Sequence, residues 1–133
     1  MYSPKNCQVS PPNYQLLQLM NEQGWIIQIK NLIRTSLPET KITVEDLAEA
    51  VHVSPRQLHR KVKALTGVSP VKLIQEIQLQ LALEELEKGE ILSLGDLAFK
   101  CGFEYQGYFS TIFKNRFGIS PREYWKDSMK QAS

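Results

Sequence analysis

An internal repeat constrains the fold of this 133-residue sequence more than any other feature does. The tripeptide Asp46-Leu47-Ala48 returns 50 residues later as Asp96-Leu97-Ala98, and the residues beyond the following turn return 51 residues later, so the second copy has one extra residue. The other matched residues in the first copy are Val51, Val53, Leu58, Val62, Lys63, Gly67, Ser69 and Pro70, and their counterparts are Cys101, Phe103, Phe109, Phe113, Lys114, Gly118, Ser120 and Pro121.

Each copy has the layout of a helix-turn-helix unit. A short helix begins after Thr43-Val-Glu-Asp46, where Thr43 and Asp46 can satisfy free backbone amides, and it is expected to reach about Ala50. After a tight connection, Ser54-Pro55 starts a second helix, and Gly67 ends it. Because no strand pattern occurs anywhere in the sequence, we expect an all-α fold.

A long linker helix is expected between the two copies. Ser69-Pro70 opens it, and the helix reaches Lys88 before the terminating Gly89. Two apolar stripes run along it: Ile74, Ile77 and Leu81 form one, and Leu79, Ala82 and Leu86 form the other. So wide an apolar surface predicts burial from two sides.

The residues before the repeat are expected to form a leader and one helix. Residues 1–13 are rich in turn-forming residues and have little to bury, which indicates a flexible leader. A helix from about Asn21 to Ser36 is predicted within a lead-in segment, residues 14–41, because apolar residues recur there at helical steps. These residues are Trp25, Ile26, Ile29, Leu32 and Ile33. The remainder divides into a first subdomain (42–68), the linker helix (69–89) and a second subdomain (90–130).

The composition is that of a globular protein, with 42% apolar and 23% charged residues. No apolar run approaches the length of a membrane span, and the N-terminus has no pattern of a secretory signal, so a cytoplasmic location is expected. The net charge of +2 is small, but basic residues cluster in one stretch without an acid. These are Arg56, Arg60, Lys61, Lys63 and Lys72.

An enzyme site is not indicated. The histidines are His52 and His59, no Ser-His-Asp arrangement can be assembled around them, and no glycine-rich phosphate loop occurs. Cys7 and Cys101 lack the spacing of a zinc site. We therefore expect no catalysis, no cofactor and no metal.

The second copy resembles a known family, the DNA-binding domain of AraC/XylS-type transcription regulators. The resemblance lies in Asp96-Leu-Ala-Phe-Lys-Cys-Gly-Phe103, Tyr108-Phe-Ser-Thr-Ile-Phe-Lys114 and Phe117-Gly-Ile-Ser-Pro-Arg-Glu-Tyr124. It covers about residues 42–127, and the helix before them is a weaker match to the lead-in segment of some longer regulators.

The resemblance implies a homeodomain-like fold, with two helix-turn-helix subdomains joined by the linker helix and the second helix of each in a DNA major groove. It also implies a transcription regulator, more often an activator, that binds double-stranded DNA. The linker helix fits this arrangement: at about 1.5 Å per residue it extends about 28 Å, close to the roughly 34 Å pitch of the duplex.

In the first subdomain, Leu58 and Val62 point inward, so the residues around them are expected to face DNA. The outward or flanking residues are Arg56, Gln57, His59, Arg60 and Lys63. The family pattern places base contacts at Arg56, His59 and Arg60. Arginine can bridge guanine O6 and N7, glutamine can bridge adenine N6 and N7, and Lys63 or Lys61 is better suited to phosphate.

In the second subdomain, Phe109 and Phe113 are expected in the core. The residues left toward the groove and the DNA backbone are Gln106, Gly107, Tyr108, Ser110, Thr111 and Lys114. Few of these read base edges strongly, and the family often has a basic residue in place of Thr111. This subdomain is therefore expected to grip phosphate more than to read sequence. Lys114 and Arg116 suit that role, and ordinary surface charge is an equal alternative for Arg116.

Two scaffold residues depart from the family pattern. His52 stands in the turn where glycine is usual, and histidine can adopt the positive φ required there at some cost. Gln78 replaces an arginine of the linker helix that in relatives ties the subdomains together or approaches phosphate. The loss of that charge predicts weaker DNA binding or dependence on a partner.

A second hypothesis is a helical protein-interaction adaptor that docks a partner without specific DNA binding, through the helix of Trp25, Ile29 and Leu32 or through Leu81. Under the DNA-binding hypothesis, further expected partners are RNA polymerase and an N-terminal sensory or dimerisation domain in a longer chain.

Overall fold

The computed structural model describes the backbone of residues 11–37 and 42–132 and the side chains of residues 21–37 and 42–129. Within these ranges the chain is all-helical, as expected, and contains no strand. The helices are α1 (Pro11–Ser36), α2 (Val44–Ala50), α3 (Pro55–Thr66), α4 (Pro70–Lys88), α5 (Leu94–Lys100), α6 (Gln106–Phe117) and α7 (Pro121–Ala132). None of the described helices is long and apolar enough to cross a membrane.

The helix ends in the repeat follow the predicted capping residues. Thr43 and Asp46 form the expected capping box of α2: the Thr43 hydroxyl accepts from the Asp46 amide at 3.1 Å, and the Asp46 carboxylate accepts from the Thr43 amide at 3.0 Å. Gly67, Gly89 and Gly118 end α3, α4 and α6 in the left-handed conformation, which glycine adopts without steric cost. The boundaries predicted for α2, α3 and the linker helix α4 are thus confirmed.

Helix α1 is longer than expected. It begins at Pro11, inside the predicted leader, rather than near Asn21, and it ends at Ser36 as predicted. Proline breaks a helix interior but is well tolerated in the first turn, where the amide it lacks would have no helical partner. Pro11 and Pro12 therefore start a helix here. The rest of the predicted leader, residues 1–10, and residues 38–41 of the lead-in segment lie outside the described residues.

The linker helix separates two hydrophobic cores, which confirms its predicted burial from two sides. The first core contains Ile26, Ile29, Ile33, Leu47, Ala48, Leu58, Val62, Leu73 and Ile77. The second contains Leu79, Ala82, Leu86, Ile91, Leu94, Leu97, Ala98, Cys101, Phe103, Phe109 and Phe113. Leu81 packs against both. Each core belongs to one helix-turn-helix subdomain, and α4 contributes to each.

Helix α1 completes the first core. Ile29 and Ile33 have no exposed surface, and they pack in the same cluster as the apolar residues of α2 and α3. Outside the core, Arg34 forms a 2.8 Å ion pair with Glu84 of the linker helix. The segment upstream of the repeat is therefore an integral part of the first subdomain.

The turns of the two subdomains each contain a residue with positive φ at the same position. His52 has a φ of 60°, as its position predicted, and Gly102 has a φ of 86° in the second copy. Gln78, the other departure from the family pattern, is buried, and its Nε2 donates to the Gly102 carbonyl at 3.1 Å. The neutral amide thus ties the linker helix to the turn of the second subdomain without a charge, and the expected weakening of DNA binding stays a prediction.

Candidate nucleic-acid interface

Helix α3 is held in place by its two ends and its inner face. Ser54 and Gln57 form a capping box, with the Ser54 hydroxyl accepting from the Gln57 amide at 3.1 Å and Gln57 Oε1 accepting from the Ser54 amide at 3.0 Å. Leu58 and Val62 are fully buried in the first core. Because both ends and one face are fixed, the outer face of α3 is presented rigidly.

The outer face of α3 carries the predicted contact residues Arg56, His59, Arg60 and Lys63. All four side chains are exposed, and none forms a hydrogen bond or ion pair with another described residue. Each presents nitrogen atoms that can donate to base edges or phosphate oxygens. The structure thus brings together four of the five residues predicted on this helix, with their polar atoms unengaged.

The fifth, Gln57, is also exposed but has a structural task. A bidentate contact with adenine needs both the oxygen and the nitrogen of the amide, and Gln57 Oε1 accepts the Ser54 amide of the capping box. Nε2 alone remains fully available, so a bidentate contact would have to share the capping oxygen.

The two lysines proposed as phosphate contacts point in different directions. Lys61 Nζ lies 4.4 Å from the ring centroid of Trp25 on α1, within the range of a cation–π interaction. Lys63 has no such contact and lies on the outer face with Arg60. Of the pair, the geometry favours Lys63 for DNA, whereas Lys61 ties α3 to α1.

Helix α6 is anchored by aromatic packing. Phe109 and Phe113 are fully buried, as predicted, with ring centroids 5.7 Å apart, and Phe103 and Phe117 extend the cluster on either side at 5.0 and 4.7 Å. Packing of this kind adds stabilisation beyond the buried area itself. The inner face of α6 is therefore as firmly fixed as that of α3.

The outer face of α6 differs from that of α3, because several of its polar side chains form hydrogen bonds within the protein. The Tyr108 hydroxyl accepts from Gln75 Nε2 at 3.0 Å, and the Thr111 hydroxyl donates to the Gly107 carbonyl at 3.0 Å. Ser110 is half-buried, and the exposed Gln106 side chain reaches over Gly95 of α5. Lys114 is exposed and forms no hydrogen bond or ion pair with a described residue.

Arg116, for which phosphate contact and ordinary surface charge were both open, is paired within the protein. Its Nε and Nη2 donate to the two carboxylate oxygens of Glu76 at 2.9 and 2.8 Å. These hydrogen bonds hold the pKa of Glu76 below its ordinary value, so the pair is ionised at neutral pH. Sequence reasoning missed this pair because its two residues are 40 positions apart on different helices, and no local pattern encodes it.

The start of α6 also lacks the capping seen in the first copy. Tyr105 occupies the position that Ser54 holds before α3, and no side chain there accepts a hydrogen bond from the helix amides. Tyr108 stands where Gln57 would complete a capping box. This difference could have been found by aligning the two copies, because tyrosine has no acceptor close enough to its own backbone.

Other site chemistry is not indicated in the described part of the chain. No group of His, Cys, Asp and Glu residues there could hold a metal ion. Burial raises the pKa of the Cys101 thiol to about 12, with a smaller contribution from Glu85, so this thiol stays protonated at neutral pH. Cys7 lies outside the described residues.

Comparison with known proteins agrees with this architecture. A family described as "Helix-turn-helix domain" matches residues 47–127, which is more than half of the chain. The chain is 39% identical over 85 residues to the HTH-type transcriptional activator RhaS of Mannheimia succiniciproducens, a match that covers 64% of this chain and 31% of RhaS. It is also 31% identical over 105 residues to the bifunctional transcriptional activator/DNA repair enzyme AdaA of Bacillus subtilis, covering 79% of this chain and 49% of AdaA.

Among solved structures, an AraC-type DNA-binding domain-containing regulator from Chromobacterium violaceum is similar, with a TM-score of 0.74 and 29% identity. The match covers 82% of this chain and 96% of that one. By contrast, the chain spans only a third to a half of the curated relatives described above. The sequence match, the two helix-turn-helix subdomains and the shared fold lead to one conclusion: the chain belongs to the AraC-type helix-turn-helix family.

Proposed function

We propose that this chain is a sequence-specific, double-stranded DNA-binding module of a transcription regulator, and that α3 and α6 read two adjacent major-groove segments. The observation that carries the proposal is the outer face of α3, where Arg56, His59, Arg60 and Lys63 are exposed and unengaged on a rigidly held helix. Arginine is the commonest reader of guanine, and a helix of this kind fits the major groove.

The two reading helices are given unequal roles. Helix α3 supplies base contacts. Helix α6, on which three outer polar side chains form hydrogen bonds within the protein, supplies phosphate contact through Lys114 and fewer base contacts. Gln106, Tyr108, Ser110 and Thr111 remain proposed members of the second contact surface.

The wider role is that of an activator, which rests on the names of the RhaS and AdaA relatives. Since the chain corresponds to about a third of RhaS, a sensory or dimerisation domain and contact with RNA polymerase are proposed for the longer protein. The module acts by binding and not by catalysis. AdaA has a repair activity in its name, but the match covers about half of that protein.

The proposal is tested by selecting binding sites from a random duplex library and then measuring affinity for the selected site and a scrambled site at two salt concentrations. We expect a selected sequence with two contact regions about one helical turn apart. Inserting about five base pairs between them should reduce the affinity toward that of one half-site. Failure to enrich any sequence, with binding that disappears at moderate salt, would contradict the proposal and favour the protein-interaction adaptor.

A further inference from the structure

The linker helix makes four polar contacts with the described part of the second subdomain. One joins the Tyr124 hydroxyl of α7 to Glu87 at 3.4 Å, and the other three reach α6 or the turn before it. Those three are Gln75 Nε2 to the Tyr108 hydroxyl at 3.0 Å, Glu76 to Arg116 through bonds of 2.9 and 2.8 Å, and Gln78 Nε2 to the Gly102 carbonyl at 3.1 Å. Two of the partners lie near the two ends of α6, and the third lies in the turn that precedes it. The contacts therefore span the whole reading helix.

The first subdomain has different residues at the corresponding positions. The repeat places His52, Gln57 and Leu65 where the second copy has Gly102, Tyr108 and Arg116. Gln57 completes the capping box of its own helix, and Leu65 packs against the first core. The first subdomain is thus joined to α4 through apolar side chains and an ion pair between Arg34 of α1 and Glu84, whereas the second subdomain has several directional polar contacts.

Gln75, Glu76 and Gln78 of α4 approach the second subdomain from two sides. Gln75 and Gln78, one helical turn apart, line a groove with Tyr108 and Gly102. Glu76 lines a second groove, beside Arg116, which Gln75 also borders. Hydrogen bonds depend on both distance and angle, and a two-point arginine–carboxylate pair fixes orientation more closely than apolar packing does. Contacts on both sides oppose rotation of the subdomain in either direction.

We propose that Gln75, Glu76 and Gln78 are positioning residues that set the orientation of α6 relative to α3, and that they thereby determine which half-site spacing the protein accepts. The effect on half-site spacing rests on the proposed function. The effect on the orientation of α6 concerns the protein alone, so the two effects can be tested separately.

The orientation is tested first on the free protein. Pulsed electron–electron double resonance measures the distance between two spin labels, one on each subdomain. Glu49→Cys on α2 and Lys126→Cys on α7 provide exposed labelling sites in a Cys7→Ser background, and the remaining cysteine, Cys101, is buried. The otherwise unchanged protein should give a narrow distance distribution. Glu76→Gln should broaden or shift it, and addition of Tyr108→Phe should broaden it further.

The matched control is Glu84→Gln. It is the same substitution on the same helix and also breaks an ion pair, but the partner is Arg34 of α1 rather than the second subdomain. This variant should keep the narrow distribution. Glu76→Arg and Arg116→Glu each break the ion pair, so each single variant should broaden the distance distribution. The double variant should restore an ion pair of reversed polarity and narrow the distribution again. Equal widths for Glu76→Gln and Glu84→Gln, or no restoration in the double variant, would overturn the positioning role.

The consequence for DNA is measured on the selected site with inserted base pairs. Glu76→Gln should lessen the loss of affinity caused by a half-turn insertion by roughly twofold to fivefold, the range expected from a partly exposed ion pair. Glu84→Gln should retain the spacing preference of the unchanged protein. Broadened distances with an unaltered spacing preference would overturn the DNA part alone, and absence of specific binding by the unchanged protein would instead overturn the proposed function.

Discussion

His52 and Gly102 occupy the same position in the two helix-turn-helix units, and both have a left-handed backbone, with φ values of 60° and 86°. In each unit the amide two residues after the short helix ends closes the turn by donating to a carbonyl of that helix: His52 to Glu49 at 3.2 Å and Gly102 to Phe99 at 3.0 Å. The same positive-φ position is thus occupied by histidine in the first unit, where it is strained, and by glycine in the second, where it is not.

Replacing His52 with glycine should stabilise the protein. Histidine has a steric cost at positive φ that glycine lacks, and the side chain is exposed, so little packing is lost. After allowance for the greater freedom of glycine in the unfolded chain, we expect a gain of about 0.5–1 kcal/mol. Urea denaturation should show a higher midpoint with an unchanged slope.

Gly102, at the same position in the second unit, supplies the control, because its substitution should change the stability in the opposite direction. A Cβ on Gly102 would collide with the Leu37 side chain and lie 3.0 Å from Gln78 Nε2, at a φ that disfavours any side chain. Gly102→Ala should therefore destabilise the protein by about 1–3 kcal/mol. If His52→Gly lowered the midpoint, the histidine would have a stabilising contact that outweighs its backbone strain.

Arg60→Ala and Lys63→Ala should separate base reading from phosphate contact on α3. Arg60→Ala should weaken binding to the selected site by about 1–3 kcal/mol and relax one position of its sequence. Lys63→Ala should weaken binding to all duplexes alike and reduce the salt dependence by about one counterion. Fluorescence anisotropy titrations at several salt concentrations measure both effects. Equal losses for Arg60→Ala on selected and random DNA would contradict its role in base reading.

Tyr105→Ser should add a missing cap to α6. The backbone at Tyr105 is extended, as at a typical N-cap, and the tyrosine is 71% exposed, so its replacement removes little buried surface. The new hydroxyl should accept a hydrogen bond from the first turn and raise the stability by about 0.5–1 kcal/mol. Ser54→Ala, which removes the corresponding cap from α3, should lower the stability by a similar amount in the same thermal unfolding assay.

Cys101 should resist thiol reagents in the native protein. Burial raises its pKa from an ordinary value of 9.0 to about 12, so almost no thiolate is present at pH 8. In a Cys7→Ser background, reaction with a disulfide reagent should be slow until denaturant is added. Because the folded pKa is the higher one, unfolding becomes easier as the pH rises from about 9 toward 12. Cys101→Ala should lack this contribution to alkaline destabilisation, and rapid native labelling would show that the buried environment opens readily.

The elements that could be predicted from sequence are those defined by local chemistry. The cap at Thr43, the stops at Gly67 and Gly89, and the apolar spacing of Phe109 and Phe113 each act within one or two helical turns, and all are confirmed. The predicted start of α1 was wrong. Proline is common both in reverse turns and at the first positions of a helix, and the local sequence does not distinguish these two settings.

The less predictable part of the site consists of contacts between distant side chains. Exposure of Arg60 followed from helical periodicity, but the engagement of Arg116 by Glu76, of Tyr108 by Gln75 and of Lys61 by Trp25 depends on how helices pack against one another. The sequence of one helix therefore does not show whether a basic residue on it is free to bind DNA or is paired with another helix of the protein.

Because Ile29 and Ile33 are buried in the first core, the boundary of the family domain differs from the boundary of the folding unit. The family match begins at residue 47, which marks what is shared among relatives, whereas the physical folding unit extends upstream at least to Trp25. A fragment that begins at residue 47 would lose the buried apolar side chains of α1, each of which stabilises the fold by about 1.5–3 kcal/mol. It would also expose to water the side of the first core that α1 covers. Recombination or engineered fusion that respects homology alone would therefore divide a hydrophobic core, and a viable junction has to lie on the N-terminal side of α1's buried residues.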